Sequence, residues 1–334
     1  MLSIHTFPKI DAHIHFNADR SHLLELAKKF GFSLITINTE VPFFPSIDDQ
    51  QELAKTYHRT SDTDLFNLTT VSTEEIVQPA WAEKAIGKIK HDIAAGALGV
   101  KFWKNIGMSI QRKDDSFIML DDTELKPVFD FLEDRKIPVL GHQGEPKNCW
   151  LPVEEMTVKS DREYFAAHPE YHMHLHDEFP DYIEHINSRD HILERHPDLI
   201  FIGAHIASLE WSLEEVGRRL DRFPNLAIDL AERISHLEYH TARDRNKVID
   251  FFHKYQDRIL YGTDIIDDPA ANPAEIAAEL EQRWKKHWLF LSTDEEIYSA
   301  QIDDSFNGLA LPEKILEKIY RLNALKWYHL SDQK

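Results

Sequence analysis

Residues Lys9–Phe16 read KIDAHIHF, and this short segment of alternating side chains, rich in β-branched residues, predicts a β-strand. Similar apolar runs follow at 33–38, 65–71, 98–103, 137–142, 199–205, 226–230 and 258–262. Helical patterns separate them at 20–30, 50–58, 80–95, 123–135, 181–196, 208–222 and 244–256, and two more close the chain at 274–288 and 313–329. Strands that alternate with helices form parallel sheets. The sequence therefore predicts an α/β fold, a (β/α)8 TIM barrel with C-terminal helices, as a single domain over 1–334.

An open doubly wound sheet is the alternative, but no glycine-rich phosphate-binding fingerprint follows the first strand. Two connections after predicted strands are long, at 104–122 and 143–180. Long βα loops in a compact domain usually serve as lids or binding loops, so we expect the substrate to meet them.

The composition and charge of the chain limit its partners and its cellular compartment. The chain carries 38 Lys and Arg against 58 Asp and Glu, a formal charge of −20, which argues against nucleic acid or an anionic membrane as partner. Its one cysteine, Cys149, rules out an internal disulfide and suits a reducing compartment. Residues 1–5 do not begin a signal peptide, and no apolar run is long enough to span a membrane. We expect a cytoplasmic protein.

The first strand carries the motif Asp11-Ala12-His13-Ile14-His15. Side chains alternate along a strand, so Asp11, His13 and His15 are expected on one face and the apolar residues on the other. In a barrel the polar face points inward near the C-terminal mouth, where barrel enzymes keep their sites. Two imidazoles there suit a divalent metal, although a pair of hydrogen-bonded histidines would give the same pattern.

Three more predicted strands end in residues that can bind metals. His142 ends the fifth strand, His205 ends the sixth, and Asp264 follows the eighth after Gly262 and Thr263. A single such residue at a strand end is usually structural. All of them at the same rim as the His-x-His strand are better explained by a common metal centre.

These residues together resemble the amidohydrolase superfamily of metal-dependent barrel hydrolases, in its amidohydrolase 2 branch. The resemblance runs from Ile10 to about Tyr328. It implies that His13, His15, His142 and Asp264 surround the metal. It implies for His205 either a second-metal ligand or a catalytic group that polarises the substrate.

Lys101, in the fourth strand, bears on the number of metal ions. It stands where binuclear members of the superfamily carry a carboxylated lysine that bridges two ions. An ordinary lysine that pairs with a carboxylate is the alternative, and we expect one ion rather than two. The ligand set suits Zn²⁺, with Mn²⁺, Fe²⁺ and Co²⁺ as alternatives.

Four residues are candidates for substrate binding. Lys101 faces inward, Trp103 lies near the rim, Glu145 follows His142, and Arg233 follows the seventh strand. Arg233 can hold a substrate carboxylate through two N–H donors, but a salt bridge with Glu232 or Asp229 is equally consistent with the sequence.

The sequence thus predicts hydrolysis of an amide, a lactone or a related small molecule by metal-activated water, with Asp264 moving the proton. The alternative is a non-oxidative decarboxylase or hydratase that uses the same site on a carboxylated substrate. These patterns do not encode the oligomeric state, and a homodimer is the general expectation for a barrel enzyme.

Overall fold

The computed structural model describes residues 2–61 and 63–331. Its main sheet contains, within these ranges, the strands β1 Lys9–Phe16, β2 Phe32–Ile37, β3 Leu65–Thr70, β4 Val100–Phe102, β5 Val139–Gly141, β6 Phe201–Gly203, β7 Leu226–Asp229, β8 Ile259–Leu260 and β9 Ile265–Asp267. Their order is β8-β7-β6-β5-β4-β3-β2-β1-β9, and neighbouring strands are parallel. The Ala12 amide donates to the Tyr261 carbonyl at 2.9 Å, just after β8, so the sheet closes on itself. The predicted barrel is confirmed.

The helices mostly lie between successive strands. They are α1 His22–Phe30, α2 Ile47–Thr60, α3 Trp81–Ala94, α4 Asn105–Met108, α5 Lys126–Arg135, α6 Lys159–Ala167, α7 Tyr182–Arg195, α8 Ala204–Ala207, α9 Leu213–Arg222, α10 Ile234–Tyr255, α11 Pro273–Ser292, α12 Glu313–Glu317 and α13 Asn323–Trp327. Short 3-10 helices cover Lys147–Trp150, Val153–Glu155, Pro169–Tyr171 and Met173–Leu175, and a π-helix covers Lys318–Leu322. An antiparallel hairpin, β10 Glu296–Ser299 and β11 Asp304–Asn307, completes the structure. No helix in the described ranges is long and apolar enough to cross a membrane.

Two apolar cores hold the barrel together. The smaller one fills the interior with residues such as Ile35, Leu140 and Ile202, and Trp327 of α13 packs against it. The larger one lies between the strands and the surrounding helices. Asn323 at the start of α13 donates to the Ile259 carbonyl at 2.7 Å, so the C-terminal helices cover the end of the barrel where β8 begins. The opposite end, where the strands finish, is left for the site.

The expectation that Asp11 shares a face with His13 and His15 is wrong. The pairing of β1 with β2 shifts register between residues 11 and 14, and this bulge inserts one extra residue. Ala12 therefore belongs to the interior core, while Asp11 accepts a hydrogen bond from Trp284 of α11 at 2.9 Å. His13 and His15, beyond the bulge, do point toward the site.

Other differences occur where strands run into the site. The eighth strand, predicted at 258–262, ends at Leu260, and the chain then leaves the sheet until it resumes as β9, which was not predicted. The hairpin of β10 and β11 was not predicted either. The helix predicted at 208–222 begins only at Leu213, where Ser212 caps it by accepting from the Glu215 amide, and residues 205–208 before it have positive φ between 54° and 58°. The helix predicted at 244–256 is the second part of α10, which bends at Asp244.

Candidate metal centre

Three histidines at the barrel mouth are fixed through the same ring nitrogen. Nδ1 of His13 bonds to the Asp229 carboxylate at 2.7 Å, and Nδ1 of His15 and of His205 each bond to a backbone carbonyl at 2.9 Å. Carbonyl and carboxylate oxygens can only accept, so Nδ1 carries the proton in each ring. The lone pair is left on Nε2, which is the state in which a histidine binds a metal.

These Nε2 atoms meet at one carboxylate. Nε2 of His13 and Nε2 of His15 each lie 3.2 Å from Oδ1 of Asp264, and Nε2 of His205 lies 4.0 Å from its Oδ2. Ligand atoms of His13, His205 and Asp264 all lie within 4.8 Å of one another. Four residues from β1, from the end of β6 and from the segment after β8 thus converge on one small volume.

The backbone conformations that bring them there are unusual. His205 and Asp264 have φ of 58° and 60°, in the left-handed region that costs a non-glycine residue about 1–2 kcal/mol. A hydrogen bond from each backbone amide holds them there: the His205 amide donates to the Asp229 side chain at 2.7 Å, and the Asp264 amide donates to the His13 carbonyl at 2.7 Å. Gly262 permits this approach, because a Cβ there would lie 2.8 Å from the Cβ of His13.

Burial and charge set the ionisation of the site. Burial lowers the pKa of His205 to about 3 and that of His142 well below its ordinary value, so both rings stay neutral near pH 7. Burial alone would raise the pKa of Asp264, but the histidines around it, led by His13, hold that pKa well below its usual range. The centre combines imidazole nitrogens, which the Nδ1 hydrogen bonds orient, with an anionic carboxylate, and this is a donor set for a divalent cation.

A cation would also satisfy atoms that now lack partners. Nε2 of His13, Nε2 of His142 and Oδ1 of Asp264 are buried and have no hydrogen-bond partner among the described residues. A buried polar atom without a partner costs free energy, and lone pairs that face one another cannot satisfy each other. These residues therefore fit a metal ion of the kind that the sequence predicts.

His142 lies beside this group. Its ring centroid is 4.2 Å from that of His205, and its side chain is buried. Its ligand atoms are not among those that lie within 4.8 Å of one another, so the tight group is His13, His205 and Asp264, with His15 on the same carboxylate. The assignment of His142 as a ligand stays a prediction.

Lys101 of β4 is buried at the same place, with 1% of its surface exposed. Burial lowers its pKa to about 8, although the negative charges of Asp264 and Asp229 act in the opposite direction. Its charge also depresses the pKa of His15 and of His142, behind the larger effect of burial. Lys101 therefore faces the metal centre, as its inward position predicts.

The other predicted substrate residues have different surroundings. Glu145 forms an ion pair with Lys104, which joins the loops after β4 and β5. Arg233 donates to the backbone carbonyl of Glu232 at 3.0 Å, and its Nε has no partner among the described residues. Trp103 is partly buried in the segment after β4.

Asp229 was considered from the sequence only as an ion-pair partner of Arg233. Its oxygens are instead taken by His13 Nδ1 and by the amides of His205 and Ala231, so it ties two of the site histidines to β7. Burial would raise its pKa, but His13 outweighs that effect and lowers it. The sequence does carry a signal for this position, because β7 is an apolar strand that ends in a carboxylate, just as the strands before His142 and His205 end in possible ligands.

Comparison with solved structures shows the same fold. An uncharacterised TIM-barrel protein from Bordetella bronchiseptica aligns with a TM-score of 0.55 at 16% identity, over 98% of this chain and 100% of its own. 2,6-Dihydroxybenzoate decarboxylase from Rhizobium aligns at 0.53 and 16%, over 97% and 99%. 4-Oxalomesaconate hydratase from Rhodopseudomonas palustris aligns at 0.52 and 11%, over 96% of each chain. At such identities these likenesses establish the fold alone.

A search of curated proteins finds no match. The sequence model of the Amidohydro_2 family, described as amidohydrolase, matches residues 76–330, which is most of the chain and includes His142, His205 and Asp264. The match begins after β1 and so does not include His13 and His15, whose position beside the other residues of the site is known from the structure alone. With a barrel fold, a donor set at its mouth and this match, the chain belongs to the amidohydrolase 2 family.

Proposed function

We propose that this protein is a metal-dependent hydrolase that cleaves an amide, a lactone or a related bond in a small molecule. The observation that carries the proposal is the convergence of the Nε2 atoms of His13 and His15 on one oxygen of Asp264, at 3.2 Å each. Zn²⁺ is the ion that this set of nitrogen and oxygen donors suits best, and one ion fits the small volume they enclose.

When bound, a divalent ion supplies Lewis acidity and lowers the pKa of water at this position to about 7. Asp264 accepts the proton of the attacking water and delivers it to the leaving group. Its side chain is 20% exposed, against 0% for His13 and 3% for His205, so it is the group of this set that a substrate reaches most easily. Its Oδ1 faces His13 and His15, which leaves Oδ2 for the proton.

His205 stands on the other side of that carboxylate, nearest to Oδ2. Because its Nδ1 proton is committed to the Ala231 carbonyl and its pKa is low, its Nε2 is an acceptor at neutral pH. This state supports a role as a metal ligand over a role as a hydrogen-bond donor to the substrate. Lys101, which keeps donor protons, is the better candidate to polarise a substrate oxygen.

For the substrate we propose contacts on the side of the mouth formed by the loops after β4, β5 and β7. Lys101 and Arg233, whose Nε has no partner within residues 2–61 and 63–331, offer positive charge. Glu145 offers a carboxylate to a donor group, and Trp103 offers an aromatic face.

The second candidate is non-oxidative decarboxylation of a small carboxylate. The observation that favours it is the burial of the Lys101 cation next to Asp264, because a substrate carboxylate would relieve the cost of burying that charge. The Rhizobium protein of the same fold is a decarboxylase.

The test begins with elemental analysis of protein purified without chelators, followed by a screen of lactones, amides and aromatic carboxylates. We expect about one ion per chain and ring or amide opening without release of CO2. CO2 release would move the assignment to the second candidate, and protein that binds no divalent ion would contradict both.

An Asp264→Asn variant then tests the proton transfer. Asn keeps the shape and one oxygen, so metal content should fall less than turnover, which we expect to drop by about 10²- to 10⁴-fold. Full turnover in this variant would remove the proposed role.

A further inference from the structure

Asp11 is a fully buried carboxylate whose oxygens are used within the protein. Its Oδ1 accepts from the Thr263 amide at 3.0 Å, and its Oδ2 accepts from the Thr263 hydroxyl at 2.7 Å and from Trp284 Nε1 at 2.9 Å. Asp11 belongs to the His-x-His motif by sequence, but the bulge in β1 directs its side chain toward Thr263 and α11. Its contact with His13 is a long hydrogen bond, 3.5 Å, from the His13 amide to Oδ1. Its contacts therefore leave it no part in binding an ion directly.

The same threonine is held at its remaining polar atom. The Thr263 carbonyl accepts from Arg283 at 2.9 Å, and Arg283 is itself fixed by ion pairs with Glu279 and Glu232. Arg283 and Trp284 are consecutive residues of α11, so one turn of this helix approaches Thr263 from one side while Asp11 approaches from β1. The amide, the hydroxyl and the carbonyl of Thr263 all have partners.

The residue held in this way directly precedes Asp264, which carries a strained backbone. A non-glycine residue at φ of 60° keeps that conformation only where the surroundings impose it. The Asp264 amide has one such contact, to the His13 carbonyl. The residue before it, Thr263, needs an equally firm anchor, and Asp11 accepts two hydrogen bonds from it, one from the amide and one from the hydroxyl.

We propose that Asp11 is a positioning residue, which through Thr263 fixes the Asp264 carboxylate in the metal centre. The inference rests on the proposed function only in requiring that the centre binds a metal ion. It assigns to the first residue of the motif a task distinct from that of the two histidines. Helix α11, outside the barrel, becomes part of the structure that sets metal affinity.

A buried hydrogen bond can also serve stability alone, and the chain offers a matched control for that role. Asp92 of α3 is 2% exposed, accepts a hydrogen bond from the Thr69 hydroxyl and pairs with Lys88 at 3.0 Å. Like Asp11, it is a buried aspartate that accepts from a threonine hydroxyl and ties a helix to the barrel, but none of its partners is next to a residue of the metal centre.

The experiment measures the dissociation constant for Zn²⁺ by competition with a chromophoric chelator, and the thermal midpoint of the metal-free protein, for Asp11→Asn and Asp92→Asn. We expect Asp11→Asn to weaken Zn²⁺ binding by about 10- to 100-fold, as is usual for residues that orient metal ligands. Asp92→Asn should lower the midpoint and leave Zn²⁺ affinity within about twofold of the wild type, the ordinary error of such comparisons.

A pair of variants at Thr263 keeps the test decisive if Asp11→Asn does not fold. Thr263→Ser retains the hydroxyl and should keep Zn²⁺ affinity, whereas Thr263→Val removes it and should weaken binding in the same direction as Asp11→Asn. Equal affinity in Thr263→Ser and Thr263→Val, or in Asp11→Asn and the wild type, would overturn the role. So would an equal loss in Asp92→Asn. Wild-type protein without Zn²⁺ affinity would instead contradict the metal centre itself.

Discussion

The two sides of the barrel mouth differ in how fully their polar groups are paired. On one side, His13, His15 and His205 each have Nδ1 held by an acceptor, and Asp229 has both oxygens in use. On the other side, buried polar atoms of His142, Glu210 and Arg233 lack partners among the described residues. On the first side, Nε2 of His13 and Oδ1 of Asp264 also lack partners among the described residues, but they face one another in ligands whose orientation is already fixed. The first side is therefore organised before any ligand arrives.

This contrast indicates different tasks. A metal centre needs ligands whose orientation is fixed in advance. The hydrogen bond to the ring nitrogen that does not bind the metal sets the tautomer and the direction of each imidazole. A substrate-binding wall needs groups that a ligand can satisfy, since a buried donor or acceptor without a partner gains most when one is supplied. We therefore expect variants on the paired side to alter metal binding and variants on the other side to alter substrate binding.

The largest effect is expected where ligands themselves are removed. A variant with His13→Ala and His15→Ala loses two nitrogen donors from one face of β1, so metal content should fall from about one ion per chain to nearly none. Elemental analysis after reconstitution measures it. A double variant at His172 and His287, which lie outside the centre, is the control. Unchanged metal content in the first variant would remove β1 from the site.

Asp229→Asn should have the next largest effect. The asparagine oxygen can still accept from the backbone amides, but its NH2 then faces Nδ1 of His13. It either meets that N–H without an acceptor or shifts the ring proton to Nε2, which removes the lone pair that binds the metal. We expect Zn²⁺ affinity to fall by about 10- to 100-fold and the free energy of unfolding to fall by about 1–3 kcal/mol. Chelator competition measures the Zn²⁺ affinity, and urea titration measures the free energy of unfolding. If the variant kept the wild-type Zn²⁺ affinity, Asp229 would not be needed to orient the metal ligands.

Gly262→Ala should have a smaller effect, on stability first. The added Cβ would lie 2.8 Å from the Cβ of His13, so β1 or the segment after β8 must move, at a cost of about 1–3 kcal/mol. Gly87 in α3 has open space around it and is exposed, so Gly87→Ala should stabilise the protein by about 0.5–1 kcal/mol. Equal effects at both glycines would show that the close approach to His13 is relaxed in solution.

The barrel was predictable because strand and helix patterns are local. So was the rim, because parallel strands end together and their last residues meet. The side of the strand on which Asp11 lies was not predictable, since a one-residue bulge leaves no mark in the alternation of KIDAHIHF. The left-handed segment at 205–208 was missed for a similar reason: its residues are ordinary helix formers, and only contacts such as that of the His205 amide with Asp229 hold them there.

The number of ions depends on Lys101, for which the expected effect of substitution is the smallest. Burial lowers its pKa to about 8, so more of the amine is neutral than in an exposed lysine, and the neutral amine is the form that reacts with CO2 to give a carbamate. We nevertheless expect a plain amine, because Asp264 and Asp229 already give this lysine a role as a counter-charge.

Lys101→Met should then leave about one ion per chain, measured with and without added bicarbonate, while weakening binding of carboxylated substrates. The matched variant is Lys104→Met, which removes a partly exposed lysine that is paired with Glu145. A second ion that is present in the wild type with bicarbonate and lost in Lys101→Met, but kept in Lys104→Met, would establish the bridging carbamate instead.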